Sequence, residues 1–158
     1  MRGRAEVARR KQQLLATFKR IRAIDPGELE LRSDFARHLC VLTSGFLEQA
    51  VQELAMECCR RMSSGAALNF AVAELGRSRN PSVDRLLAFV GVFEADWRTE
   101  LDEFLTQERR IAIGSVVGLR TAISHGEPAI ITYARIEDYS AAVFAVVEFL
   151  AERFDPQR

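Results

Sequence analysis

A long uninterrupted helical pattern follows Ser33. Ser33 offers an N-cap with Asp34 in the first turn, and the next 28 residues contain no proline and no glycine except Gly45. Apolar residues at helical spacing predict a buried side made of Phe35, Leu39, Leu42, Phe46, Val51, Leu54 and Cys58. A polar stripe comprises Arg37, Ser44, Glu48 and Gln52. We expect this helix to be the longest and the central one.

Turn signals divide the rest of the chain into shorter helices. The predicted ranges are 5–22, 66–76, a helix with Asn80 as cap and Pro81 at its first position, 95–105, 107–124 and 136–154. The run 130–132 is the only one that looks extended, and it is too short to build a sheet. The fold class is therefore all-α, a compact bundle of about five to seven helices in a single domain over residues 1–158.

The predicted helix over 107–124 carries two further expectations. Gly114 and Gly118 lie inside it, and we interpret them as positions of close packing. One row of this helix is formed by Ile111, Ser115, Leu119 and Ile123.

The first helix concentrates positive charge. Residues 1–22 carry eight basic residues against one acid, Glu6, and the rest of the chain cancels this excess to a net charge of zero. Apolar residues at helical spacing, which would pack residues 1–24 on the bundle, are Val7, Leu14, Phe18 and Ile21. The outer face either contacts RNA phosphates, through Arg9, Arg10 and Lys11, or is only solvated.

The cysteines and the apolar segments indicate the compartment. Cys40, Cys58 and Cys59 are odd in number and lack C-x-x-C spacing, so neither a zinc site nor a disulfide framework is indicated. We expect buried thiols in a reducing environment, with no metal and no cofactor. No signal-peptide pattern is present, and no stretch approaches the ~18 apolar residues that cross a bilayer. A soluble, cytoplasmic protein is expected.

The segment RTAISHG at 120–126 carries the candidate chemistry. It places Arg120 and His125 five residues apart at the end of a helix that Gly126 stops. Histidine both takes and gives a proton near neutrality, and arginine presents a forked cation to phosphate. The spacing alone is not specific, because Arg32 and His38 also satisfy an arginine-x(4–6)-histidine pattern.

Three blocks of sequence add specificity. They are DFARHLCVLTSGFLEQAV at 34–51, RNPSVDRLLAFVGVF at 79–93 with Trp97 shortly after, and LRTAISHG at 119–126 before the final helix. Through these blocks the chain, from about residue 24 to 152, resembles the HEPN superfamily, most closely the RiboL-PSP-HEPN type.

The resemblance implies a function and a site. HEPN proteins with this signature are metal-independent endoribonucleases, so Arg120 and His125 become the catalytic pair, at a cleft between two protomers of a homodimer. Arg32 and His38 become a chance match. Several such enzymes are toxins or defence effectors, which implies RNA as substrate and a cognate antitoxin or effector protein as a further partner.

One position departs from the family pattern. The family commonly has asparagine after the arginine, where this chain has Thr121. Thr121, Ser124 and Glu48 are candidate orienting residues, although Glu48 on a solvated face is the alternative. The departure leaves room for a non-catalytic module that binds RNA or a partner or only dimerises.

The two candidate catalytic residues also have structural alternatives. Arg120 could form an ion pair with Glu127 or Glu48, and His125 could cap the helix beside Gly126. In a regular helix, Arg120 and His125 point about 140° apart, so one intact helix does not aim both at one phosphate. Gly126 could re-aim His125, or a second protomer could supply another pair across a two-fold axis.

Overall fold

The protein is a bundle of α-helices. A computed structural model describes residues 2–77 and 81–155, and no strand occurs within these ranges. The helices are α1 (Arg2–Arg22), α2 (Leu29–Met62), α3 (Gly65–Leu75), α4 (Val83–Phe93), α5 (Ala95–Phe104), α6 (Gln107–Ser124) and α7 (Tyr133–Arg153). The predicted all-α fold of five to seven helices is confirmed.

Helix α2 lies at the centre of the bundle. It packs against α1, α3, α6 and α7, while α4 packs against α5 and α6. Leu39 and Leu47 of α2 are completely buried, and burial of a leucine side chain stabilises the fold by about 1.5–3 kcal/mol. Five residues of its predicted buried side are buried, and two, Phe35 and Leu42, are partly buried.

The predicted polar stripe of α2 is not a solvated face along its whole length. Ser44 is completely buried, as is its neighbour Thr43. The hydroxyl oxygens of both residues have no hydrogen-bond partner among the described residues. The prediction failed at Ser44 because four helices surround α2, whereas a surface helix has one open side.

The predicted start of α2 at Ser33 was wrong. Helix α2 begins at Leu29 after the N-cap Glu28, whose side chain makes no capping bond, so Ser33 lies inside the helix. The turn before α2 is held by Asp25, whose Oδ1 accepts a hydrogen bond from the Gly27 N–H at 2.8 Å. No proline or glycine lies between this turn and Ser33, so α2 starts before Ser33.

Hydroxyl caps explain the starts of α4 and α7. Ser82 caps α4, its Oγ accepting from the Arg85 N–H, so Pro81 precedes the cap and is not the first helical residue. The predicted cap Asn80 lies outside the described residues. Thr132 caps α7 in the same way, which starts that helix at Tyr133 and not at 136.

Helix α6 does not fully bury the row that begins at Ile111. Its buried residues are Ala112, Ile113 and Val116, and Ile111 is 50% exposed. Gly114 and Gly118 are also exposed, and an added Cβ at either position meets no atom within 4 Å. The two glycines therefore make no close packing contact within the described part of the chain.

Helix α1 packs against α2 and α7, and Val7, Leu14, Phe18 and Ile21 on its inner side are buried. An added Cβ at Gly3 would lie 3.0 Å from the Glu53 backbone oxygen and from the Glu57 Cβ, so α1 approaches α2 closely there. The Gly3 N–H donates to Glu57 Oε2 at 3.3 Å. Although burial raises the pKa of Glu57, this bond and Arg61 outweigh it, and the pKa is lowered.

Candidate active site

Arg120 points from α6 toward the central helix. Its Nη1 lies 2.9 Å from Glu48 Oε2, and the two side chains are 29% and 16% exposed. Partial burial strengthens the attraction between the two charges compared with bulk water. The ion pair with Glu48 proposed as the structural alternative is therefore present, and it holds the guanidinium in one place.

A groove of about 410 Å³ opens beside this ion pair. Arg120 lines it together with Arg10 from α1, so two helices distant in sequence present cations to one space. Gln13 and Gln49 add side-chain amides. The remaining lining residues are Leu14, Thr17, Val41, Leu42, Gly45 and Phe46. The groove combines two cations, two amides and an apolar floor.

His125 is the C-cap of α6, directly after the last helical residue, Ser124, and it is exposed. Its backbone remains near the helical region, with φ −93° and ψ 3°, and its N–H donates to the Thr121 and Ala122 oxygens. Gly126 has φ +70°. The Gly126 N–H bonds to the Ile123 oxygen and the Glu127 N–H to the Ala122 oxygen, a Schellman motif.

The two candidate catalytic side chains lie on different sides of α6. The helix runs regularly to Ser124, so Arg120 and His125 diverge by about 140°. The positive φ falls at Gly126, which redirects the chain after His125 and not the histidine itself. His125 does not line the groove that holds Arg120.

The hydroxyl groups of Thr121 and Ser124 are hydrogen-bonded to the backbone of α6. Thr121 Oγ1 donates to the Val117 oxygen at 3.1 Å, and Ser124 Oγ donates to the Arg120 oxygen at 2.9 Å. Both bonds run back one helical turn. Within the described residues, therefore, neither the Thr121 nor the Ser124 hydroxyl is hydrogen-bonded to the Arg120 guanidinium, whereas Glu48 contacts it.

Carboxylates neutralise much of the basic face of α1. Arg9 and Arg10 both pair with Glu6, and the hydrogen bond from Arg9 lowers the pKa of Glu6. Lys11 pairs with Glu148 of α7 and lies over the Phe144 ring, 5.0 Å from its centroid. Of the three predicted RNA contacts, only Arg10 shares the groove with Arg120.

The second arginine and histidine stand apart from this groove. Arg32 lies 6.0 Å from the centroid of the Tyr133 ring, and His38 is exposed on α2. Neither residue lines the groove that contains Arg120. They serve as matched references for the candidate pair.

The cysteines are not activated as nucleophiles. Burial raises the pKa of the Cys40 thiol to about 11, and burial also raises the pKa values of Cys58 and Cys59. All three are free. Among the described residues, no group of three or more His, Cys, Asp or Glu side chains is placed to hold a metal ion.

Two residues of the groove were not predicted as functional. Gln13 and Gln49 each precede a buried residue, Leu14 and Ala50, and so lie beside the buried face of their helices. Helical periodicity assigns such residues to the border between core and solvent, but it does not show that the borders of α1 and α2 meet. That juxtaposition is a property of the packing.

Comparison with known proteins gives one match. The sequence model of the RiboL-PSP-HEPN family matches residues 5–155. The match confirms the resemblance and extends it to α1, which the three sequence blocks did not include. No curated protein and no solved structure matches the chain. No helix in the described part of the chain is long and apolar enough to span a bilayer.

Proposed function

The chain belongs to the RiboL-PSP-HEPN family, and we propose that it is a metal-independent endoribonuclease that uses Arg120 and His125 at a cleft between two protomers. Family membership supports an RNase or an RNA-binding module. The groove at Arg120 and the exposed face of α6 support cleavage by this pair.

The observation that carries the proposal is the groove shared by Arg120 and Arg10. Glu6 pairs with Arg10 and Glu48 holds Arg120 in position, and the remaining guanidinium N–H groups of both arginines donate to the phosphodiester backbone. Gln13 and Gln49 offer donors and acceptors to ribose or base edges. This combination fits a single RNA strand with its phosphate at Arg120.

The proposed reaction is an internal transesterification. His125 takes the proton of a ribose 2′-hydroxyl, whose oxygen attacks the adjacent phosphorus. The bond from phosphorus to the 5′-oxygen breaks, and that oxygen receives the proton that His125 took from the 2′-hydroxyl. Arg120 stabilises the charge of the five-coordinate phosphate. Acid–base catalysis contributes about 10²–10⁴-fold, and the products are a 2′,3′-cyclic phosphate and a 5′-hydroxyl.

An exposed stripe on α6 supports the two-fold dimer. Ile111, Gly114, Gly118, Thr121 and His125 are all exposed, and their spacing places them on one side of the helix. Glycines without neighbours within 4 Å allow a second helix to come close. Because His125 ends this stripe and Arg120 faces away from it, one protomer presents an incomplete pair.

The test compares wild type, Arg120→Ala and His125→Ala on total RNA in EDTA. Arg32→Ala and His38→Ala are the matched controls, since they remove the same residue types from the second arginine–histidine pair, which is not part of the candidate site. We expect wild type and both controls to leave cyclic phosphates, and the two site variants to lose at least about 100-fold in rate. Unchanged cleavage by His125→Ala, in protein free of contaminating nuclease, excludes this mechanism.

A non-catalytic RNA-binding module is the second candidate. Thr121 replaces the family's usual asparagine, and its hydroxyl is bonded to the Val117 oxygen, which favours this alternative. Such a module has RNA affinity that falls with salt but produces no new RNA ends. Under either function, we propose a place in a toxin or defence system with a cognate antitoxin or effector protein.

A further inference from the structure

A second and larger groove, of about 560 Å³, lies between the C-terminal ends of α2 and α7 and the start of α5. Its aromatic wall comprises Phe93, Trp97 and Phe154. Cys58 and Met62 of α2 add an apolar side. The groove is therefore separate in composition from the cationic groove at Arg120.

The aromatic wall offers a ring face with a fixed orientation. Phe93 and Trp97 are stacked at 14°, with their centroids 6.4 Å apart. Phe154 meets both rings edge-on, at 5.0 and 5.5 Å. Phe154 is almost completely buried, whereas Phe93 and Trp97 are partly exposed. The partly exposed indole of Trp97 is the type of ring on which cations bind best.

The rim of this groove is acidic. Among its lining residues, Glu100 pairs with Arg153, and Asp155 pairs with Arg4 at 2.8 Å. Glu94 and Glu152 are exposed and form no ion pair with any residue in the described ranges. An aromatic wall below uncompensated carboxylates attracts cations and repels RNA phosphates.

The groove is distant from the candidate catalytic pair. The loop that starts at His125 leads into the first residue of α7, Tyr133, and the groove lies at the other end of that helix, at Arg153. A helix of 21 residues is about 30 Å long at 1.5 Å per residue. A ligand in this groove does not occupy the catalytic site of the same protomer.

We propose that this groove binds a basic peptide segment of a partner protein, with one arginine side chain inserted against Trp97. The guanidinium lies over the indole and between Glu94 and Glu152, while the alkyl stem contacts Met62. Arginine suits the site because its planar cation stacks on aromatic rings and is weakly hydrated. The proposal does not depend on RNA cleavage.

Trp97 is the only tryptophan of the chain, so its fluorescence reports on the groove directly. The probe is an acetylated and amidated peptide, Gly-Ser-Arg-Gly-Arg-Ser, titrated into the full chain. Its controls carry citrulline, which keeps the shape and removes the charge, or norleucine at both arginine positions. We expect saturable binding of the arginine peptide, at least about tenfold tighter than either control.

Variants localise the binding to this rim. The double variant Glu94→Gln/Glu152→Gln weakens binding about fivefold or more, because two ion pairs are lost. The matched control Glu103→Gln/Asp138→Asn makes the same change in net charge at exposed positions elsewhere on α5 and α7, and it changes affinity less than twofold. Calorimetry repeats both titrations without relying on Trp97.

Four results would overturn the proposal. They are no saturable binding by either method, citrulline binding equal to arginine binding, equal weakening by the two double variants, and preference for norleucine. The third result means non-specific attraction to the acidic surface, and the fourth means an apolar occupant. All the altered carboxylates are exposed, and unchanged thermal melting confirms that the variants fold.

Discussion

Replacing Gly126 with alanine changes the free energy of unfolding through two effects that can be estimated separately. Its φ of +70° costs an L-residue about 1–2 kcal/mol, and no atom lies within 4 Å of an added Cβ, so Gly126→Ala introduces no clash. Alanine lowers the entropy of the unfolded chain, which offsets about 0.4–1 kcal/mol of that cost. The net effect is a destabilisation of about 1 kcal/mol.

The same change at Gly45 has the opposite sign. Gly45 lies inside α2, and an added Cβ there also meets no atom within 4 Å, but its backbone is helical. Gly45→Ala therefore stabilises by about 0.5–1 kcal/mol. Because an added Cβ has space at both positions, comparing the two Gly→Ala variants measures the effect of backbone conformation without a contribution from packing.

Urea unfolding followed by far-ultraviolet circular dichroism measures both variants. The two free energies of unfolding should differ by about 1.5–2 kcal/mol. Each 1 kcal/mol shifts the melting temperature by about 2–4 °C in a chain of 158 residues. If Gly126→Ala is neutral or stabilising, the Schellman end of α6 is not maintained in solution, and the exposed position assigned to His125 is wrong.

Three further predictions concern single positions and the dimer. Thr43→Val should stabilise the protein by about 1 kcal/mol in urea unfolding, because it removes a completely buried hydroxyl that has no partner among the described residues; a destabilisation contradicts this. Cys40, whose pKa burial raises to about 11, should be about one part in a thousand thiolate at pH 8, so peptide mapping should find it alkylated only after unfolding; rapid labelling of the native protein refutes the buried assignment. Mixing inactive Arg120→Ala and His125→Ala proteins should restore about a quarter of wild-type cleavage if each site takes its arginine and histidine from different protomers; no recovery means that the pair acts within one protomer or that the cleft needs all four residues.

Local sequence patterns predicted most of the helices but not which other helices pack against each of them. The stop of α6 at Gly126 and the inner face of α1 follow from turn chemistry and from period-3.6 spacing, which act over a few residues. The burial of Ser44 and the exposure of Ile111 could not be predicted, because both depend on which neighbouring helices pack against α2 and α6. Ser33 was misread because a competent cap has no effect once the helix has started upstream.

Some features of the candidate site could be predicted from the sequence, and others could not. Arg120 and His125, and the family to which they point, are readable from RTAISHG and the two blocks before it. Their divergence by about 140° also follows from helix geometry alone. None of this shows that Arg120 pairs with Glu48, 72 residues earlier, or that Arg10 of α1 lines the same groove.

Local sequence specified where each helix lies and what ends it, since propensity, capping and turn geometry act between residues a few positions apart. Tertiary packing specified the two grooves, the buried hydroxyls of α2 and the exposed stripe that ends at His125. These features depend on contacts between residues tens of positions apart, and such contacts form only when apolar faces from several helices are buried together.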